Sequence, residues 1–396
     1  MTTGIKNSLK VNAADSCYYA AFTMYCFFHL MERTNYVYMF GVSMDSVGKI
    51  ANVLMLILLL VRFFSIRFTA DALVYSGVIF LASLITLGVT RSWIPLSICL
   101  FIISGNGIDI RRLTRIVLLV TVLVFLIVAF GLLSGLITSI DSIRPGETRI
   151  RHSLGFNQVN ALGAVLARIC TCVVFLRWNK SPLLSVLLTV SSVVFLEVVA
   201  NSRTAELYLL VLICFQVYCY IRRQSFTSAS KSRICLYLVI GSFLLTVILL
   251  FVFSPSNAML MAFSESLSNR IYSMWYLFKQ YSIHPFGNGS LLLGATVWTG
   301  SSYAMLTIDN AWALWLINYG FIPTSFLLIG LILLFRRAPE ECFDDGSLIV
   351  LALYIALFGF CESTALAVDY NPLLVLISFS IFKNWGHNFR FMRGMQ

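Results

Sequence analysis

Long apolar runs, each closed by a few polar or charged residues, recur along this chain from residue 16 to residue 385. They lack the strict in–out alternation of β-barrel strands. Each run is near the ~20 residues that a helix needs to cross a bilayer core. The pattern predicts helices at about 16–32, 46–62, 71–89, 93–108, 114–138, 158–176, 182–200, 204–221, 234–253, 310–335, 347–366 and 370–385, of which 93–108 is the least regular. The expectation is an all-α polytopic membrane protein of about 12 transmembrane helices, forming one integral membrane domain over 1–396.

Two stretches interrupt the runs. One is 139–157, rich in arginine; the other is 254–309, the long break in the chain. A connection of that length is usually functional or disordered. This one is too aromatic and too poor in charge for disorder, so short helices are expected in it.

Composition agrees with the periodicity. The chain is 59% hydrophobic and 11% charged, against about 25% charged in soluble domains. Its net charge of +11 would suggest nucleic acid in a soluble protein. In a membrane protein, lysine and arginine in short loops set orientation instead. With the N-terminus cytoplasmic, Lys6, Lys10, Arg62, Arg67, Arg111, Arg112, Arg115, Arg177, Lys180, Arg222, Arg223, Lys231, Arg233, Arg336, Arg337, Lys383, Arg390 and Arg393 all fall inside: 18 of 28 basic residues. Both termini are then cytoplasmic, and 139–157 and 254–309 are outer loops. No short signal peptide with a small-residue cleavage site is present, so the first run is expected to stay as a span. The ten cysteines form no CxxC pair and read as small buried hydrophobes. No phosphate-binding loop, dinucleotide motif or metal-ligand spacing is found.

The exceptions to the charge rule carry the candidate chemistry. Arg144, Arg149, Arg151, Arg203 and Arg270 cluster on the outer side, where topology does not require them. Arg33, Lys49, Arg91 and Lys279 lie there singly. Guanidinium binds phosphate bidentately, so the clustered arginines suit a diphosphate at headgroup level; pairing with Asp141, Glu147, Glu197 or Glu206 is the structural alternative. Arg270, Met274 and Trp275 share a face at helical spacing. Asp309 stands at the start of a predicted span, where it could take a proton from a hydroxyl or cap the helix. His284 and His152 are further base candidates.

The order of short motifs on the outer side resembles the Wzy-type oligosaccharide repeat-unit polymerases and the related O-antigen ligases. The motifs are Ser153–Asn160 after the arginine-rich loop, Asn201-Ser202-Arg203-Thr204, Arg270 with Trp275, Pro285–Gly289, and Asp309-Asn310 with Tyr319-Gly320 behind. Arg144 stands eleven residues before Gly155, similar to an arginine-to-glycine spacing in polymerase outer loops, but the spacing is not repeated after Arg270. The resemblance covers about 139–335.

It implies a metal-independent, cofactor-free, inverting glycosyltransferase of the bacterial inner membrane, acting on undecaprenyl-diphosphate-linked oligosaccharides at the outer face. Arg203 and Arg270, with Arg144 and Arg151, would bind diphosphate; Asn157, Trp275 and Asn310 would contact sugar; Asp309, or else His284, would be the base. The ligases carry a histidine where this chain has Asp309, which favours the polymerase. The surface polymer could equally be O antigen or capsule. Membrane lipids are the other expected partner, and the resemblance leaves room for a chain-length regulator. Ligation to another acceptor and a lipid-linked oligosaccharide flippase are the alternatives.

Overall fold

The computed structural model describes residues 13–39, 44–143, 148–178, 182–222, 227–289, 295–298, 303–337 and 347–382. Arg144 lies outside the described residues, as do Lys6, Lys10, Lys180, Arg223, Lys383, Arg390 and Arg393 of the charge count.

The apolar runs are helices. α1 (Ala13–Met31) and the short α2 (Tyr36–Met39) precede α3 (Met44–Ser65), α4 (Ala70–Thr90), α5 (Ile94–Ser104) and α6 (Ile110–Leu133). The hairpin β1 (Asp141–Ile143) and β2 (Ile150–His152) follows, with Ser142 opposite Arg151. Then come α7 (Val159–Arg177), α8 (Pro182–Val199), α9 (Arg203–Arg222) and α10 (Ser228–Val252). Among the described residues, seven helices are long and apolar enough to cross a membrane: α3, α4 and α6 to α10; α5 is a shorter apolar helix. The protein is an all-α membrane protein.

Polar residues at loop ends define several helix starts. Thr69 accepts from the N–H of Ala72, Asp109 from Arg111 and Thr227 from Ser230, which satisfies donors that a helix start leaves open. The Asp109 cap starts α6 at Ile110, earlier than the apolar run at 114–138 suggests. It ends at Leu133, where Gly135 turns the chain at φ 73°.

α7 is the central span: 72% of its apolar window is buried, against 22–33% for the other six. The outer helices turn apolar side chains outward, such as Leu119, Leu126 and Phe130 on α6 and Leu183, Leu187 and Val194 on α8. Such surfaces suit lipid rather than water.

After α10 the chain forms α11 (Ala258–Ser266) and α12 (Arg270–Tyr281), then the hairpin β3 (Ala295–Trp298) and β4 (Tyr303–Leu306). The run at 310–335 is not one helix. It divides into α13 (Ala311–Leu314), a π-helical turn Trp315–Tyr319, and α14 (Phe321–Arg337), separated by Gly320 at φ 96°. The Pro285–Gly289 turn docks into this break. His284 and Pro285 carbonyls accept from Phe321 and Ile322 at 3.1 and 3.0 Å, and Asn288 N–H donates to Asn318 at 3.2 Å. A side chain at Gly287 would overlap the Asn318 carbonyl, so this approach needs glycine.

The run at 347–366 is helical only to Cys361, through α15 (Ser347–Leu353), a π-helical turn Tyr354–Phe358 and α16 (Gly359–Cys361). Glu362 is extended, and 3₁₀ turns Ser363–Leu366 and Pro372–Leu376 lead to α17 (Ile377–Phe382). This non-helical stretch is buried almost throughout, so its backbone is shielded by protein.

Candidate functional site

Arg270 opens α12 with its side chain turned into the protein, and the residue is 7% exposed. Ile271, Met274 and Leu277 bury the same side of the helix, which fixes the guanidinium at the end of the bundle. Its nitrogens have four partners. Nε pairs with Asp309 Oδ2 at 3.1 Å and Nη2 with Glu362 Oε1 at 3.0 Å. Nη1 donates to Thr204 Oγ1 at 2.9 Å and to the Cys361 carbonyl. Arg203, exposed, is the neighbour of Thr204 on the first turn of α9.

Thr307 further holds Asp309, donating to its other oxygen at 3.0 Å. The Asp309 side chain is 30% exposed, that of Glu362 13%. Glu362 follows the last residue of α16, outside the spanning helix. Burial pushes its carboxyl up from the ordinary 4.5 to about 7; the Arg270 charge opposes that rise and Asp309 adds to it. The cluster thus pairs a buried cation with one open carboxylate and one acid poised near neutrality.

The other sequence-expected residues separate. Arg151 is a brace: it is 8% exposed, and Nε donates to the Ala200 carbonyl at 2.9 Å while Nη2 donates to Asn160 Oδ1 at 3.1 Å. A diphosphate at Arg151 would have to displace these bonds. Arg149 pairs with Glu197 at 2.9 Å, and His152 with Asp141 at 2.8 Å. Asn310, 1% exposed, takes the capping role considered for Asp309. Its Oδ1 accepts from Ala313 N–H at 2.8 Å, and Nδ2 donates to Thr246 Oγ1 and the Phe360 carbonyl at 3.0 and 3.1 Å. Both ends of its side-chain amide are thus engaged inside the protein.

Trp275 is half-buried against Phe253 and Tyr272, ring centroids 5.6 and 6.1 Å away, and its indole N–H has no partner among the described residues. Asn157 is half-buried and its backbone N–H donates to the Arg33 carbonyl. The His284 ring is exposed, while its carbonyl anchors α14. No contact among the described residues joins His284 to Arg270.

The fold brings together a second charged group that the loop motifs did not signal. Arg168, 0% exposed on α7, approaches Asp369 Oδ2 at 3.6 Å. His29 Nδ1 lies 2.9 Å from the same oxygen. A carboxylate only accepts, so His29 donates to it from Nδ1. Both Arg168 and Arg33 lie over the Tyr370 ring, 4.6 and 5.2 Å from its centroid. The signals available beforehand were charges in or beside apolar runs: Arg168 within 158–176, Glu362 within 347–366, and Asp369 in the gap before 370–385.

Among the described residues no group of His, Cys, Asp and Glu is arranged to hold a metal ion. Fold and composition define an integral membrane protein with buried charged clusters in an apolar bundle. No protein family, curated protein or solved structure matches the chain.

Proposed function

We propose that the chain is a metal-independent, inverting glycosyltransferase that polymerises undecaprenyl-diphosphate-linked oligosaccharide repeat units at the outer face of the bacterial inner membrane. The observation that supports this most is the Arg270 cluster, with Asp309 and Glu362 on one guanidinium and Arg203 beside Thr204. A buried ion cluster at the edge of a membrane bundle is costly and marks function by default.

The diphosphate of the donor lies against Arg203 and Arg270, which stabilise charge as it departs. Glu362, rather than Asp309, takes the proton of the acceptor hydroxyl, because a base is most effective with a pKa near the working pH. The hydroxyl oxygen then bonds to the anomeric carbon. The bond from that carbon to the diphosphate oxygen breaks, and its electron pair leaves with the diphosphate. Asp309 holds Arg270 in place.

Purified protein supplied with a lipid-linked repeat unit tests this. Ladders of longer lipid-linked glycan are expected. Transfer only to a different acceptor would make it a ligase, and no transfer would reject the reading. A second reading, a flippase for the same lipid, draws on the deep Arg168–Asp369 pair and the broken helix at Gly320, both transporter features. Cells lacking the protein would then hold the lipid-linked unit on the cytoplasmic side.

A further inference from the structure

We propose that a small cavity lined by Ser363, the residue after Glu362, is an anion subsite in which Arg33 takes a carboxylate or phosphate group. That this group belongs to the saccharide substrate rests on the transfer reading above. The cavity holds about 90 Å³ and lies between the end of α1, the π-helical turn Trp315–Tyr319 and the 3₁₀ turn Ser363–Leu366. A water takes about 30 Å³ of liquid, so one small polar group fits and a chain of sugars does not.

The backbone at Arg33 is tied down on both sides. Its N–H donates to the Leu30 carbonyl at 3.1 Å, its carbonyl accepts from Asn157 at 2.9 Å, and Thr34 forms a bridge with Phe156. The guanidinium lies over the Tyr370 ring, 5.2 Å from the centroid, which sets its plane. Among the described residues no ion pair or hydrogen bond engages its N–H groups. Its nitrogens are not among the buried atoms left without a partner, so they are accessible where Arg33 lines the cavity. The same holds for Ser363 Oγ. Arg270, Arg151 and Arg149 instead give donors to protein oxygens. A stacked guanidinium with an open edge suits two parallel bonds to a carboxylate or phosphate. Ser363 can donate a third.

The surrounding charges leave this place to an anion. No Asp or Glu lines the cavity. Asp369 is held by His29 at 2.9 Å and Arg168 at 3.6 Å, and Glu362 by Arg270 at 3.0 Å. Both carboxylates act on Arg33 at longer range, which steadies the cation without occupying its N–H groups. His29 also lines the cavity, with Nδ1 turned to Asp369. A larger cavity of about 320 Å³ shares His29 and Ile94 with this one and carries Glu32 and Arg91, one charge of each sign. A neutral group or a lipid tail at Arg33 would leave the guanidinium unmatched, and a cation would be repelled by it.

The test uses the full-length protein in nanodiscs of zwitterionic lipid. The probes are glucuronate, glucose 1-phosphate and glucose, with binding followed by saturation-transfer NMR. The two anions are expected to bind and glucose is not, and inorganic phosphate should displace both. The tighter of the two anions names carboxylate or phosphate as the native group. Arg33→Gln should weaken anion binding about tenfold or more, and Arg33→Lys by less, because the ammonium keeps the charge and loses the paired geometry. Arg91→Gln should change it by less than about twofold, because an exposed charge out of contact is screened by salt. Ser363→Val keeps every charge, removes the hydroxyl and should also weaken binding; it decides the matter if Arg33→Gln does not fold. Anions that bind no better than glucose, or equally well in the wild type and the folded Arg33 and Ser363 variants, overturn the assignment. Arg33 is then a counter-charge for Asp369 and Glu362. The expected pattern in a protein that transfers no lipid-linked sugar keeps the anion subsite and rejects the transfer reading.

Discussion

Arg270 donates from Nη2 to Glu362 Oε1 at 3.0 Å, so an acid at the edge of the bundle core shares its cation with Asp309. The acid's raised pKa gives the pair a measurable pH signature.

Transfer should rise as pH passes through about 7, as Glu362 ionises, and level off above it. Glu362→Gln should lower the rate by about 10²–10⁴-fold and remove that limb. The stability effect has the opposite sense. Because the folded pKa exceeds the ordinary 4.5, this group's contribution is full below pH 4.5 and lost as pH rises to about 7. Thermal unfolding from pH 4 to 8 should show that decline in the wild type and not in the variant. An unchanged rate profile in Glu362→Gln would move the base elsewhere, with Asp309→Asn next to test.

Arg270→Ala leaves two carboxylates facing each other at the bundle edge. It should cost about 3–5 kcal/mol of stability and abolish long polymer. Arg203→Ala removes an exposed side chain and should cost at most about 1 kcal/mol of stability while raising the donor KM. Unfolding curves and donor kinetics separate the two. A normal donor KM in Arg203→Ala would remove that residue from the diphosphate site.

Asp369→Ala strips the buried Arg168 of its carboxylate and should cost about 3–5 kcal/mol. A double variant, Arg168→Met with Asp369→Leu, should recover much of that loss. A double-mutant cycle read by unfolding measures the coupling, and strictly additive losses would show that the 3.6 Å pair contributes nothing.

Asn310→Ala loses the α13 cap and the links to Thr246 and Phe360. It should cost about 1–3 kcal/mol and leave saccharide affinity of the folded fraction unchanged. A large loss of affinity at unchanged stability would return Asn310 to the sugar site.

Much of the helix order was legible because lipid imposes a simple rule: a span must be apolar for its whole length. The caps at Thr69 and Asp109 were legible in kind, as polar residues closing a loop. The break at Gly320 was hidden because the residues after it remain apolar, and the break after Cys361 because Glu362-Ser363-Thr364 is too short a polar stretch to end the run. Only the docking of Pro285–Gly289 and the ion pair of Glu362 select the broken forms. Among site residues, Arg270 and Asp309 were legible as charges at a predicted membrane boundary, and the fold pairs them. Arg151 and Asn310 shared that signal, yet their partners are internal: the Ala200 carbonyl and Asn160 for one, Thr246 and Phe360 for the other.

The sequence by itself determined that this is an all-α membrane protein, and it singled out the basic residues that fall outside the charge rule. Composition and apolar run length decide those matters locally, residue by residue. The tertiary structure alone decided which charges meet. It set Glu362 and Asp309 on Arg270, and His29 and Arg168 on Asp369, from segments far apart in the chain. The pairing depends on how helices pack around α7, and a buried charge is tolerated only where that packing supplies its partner.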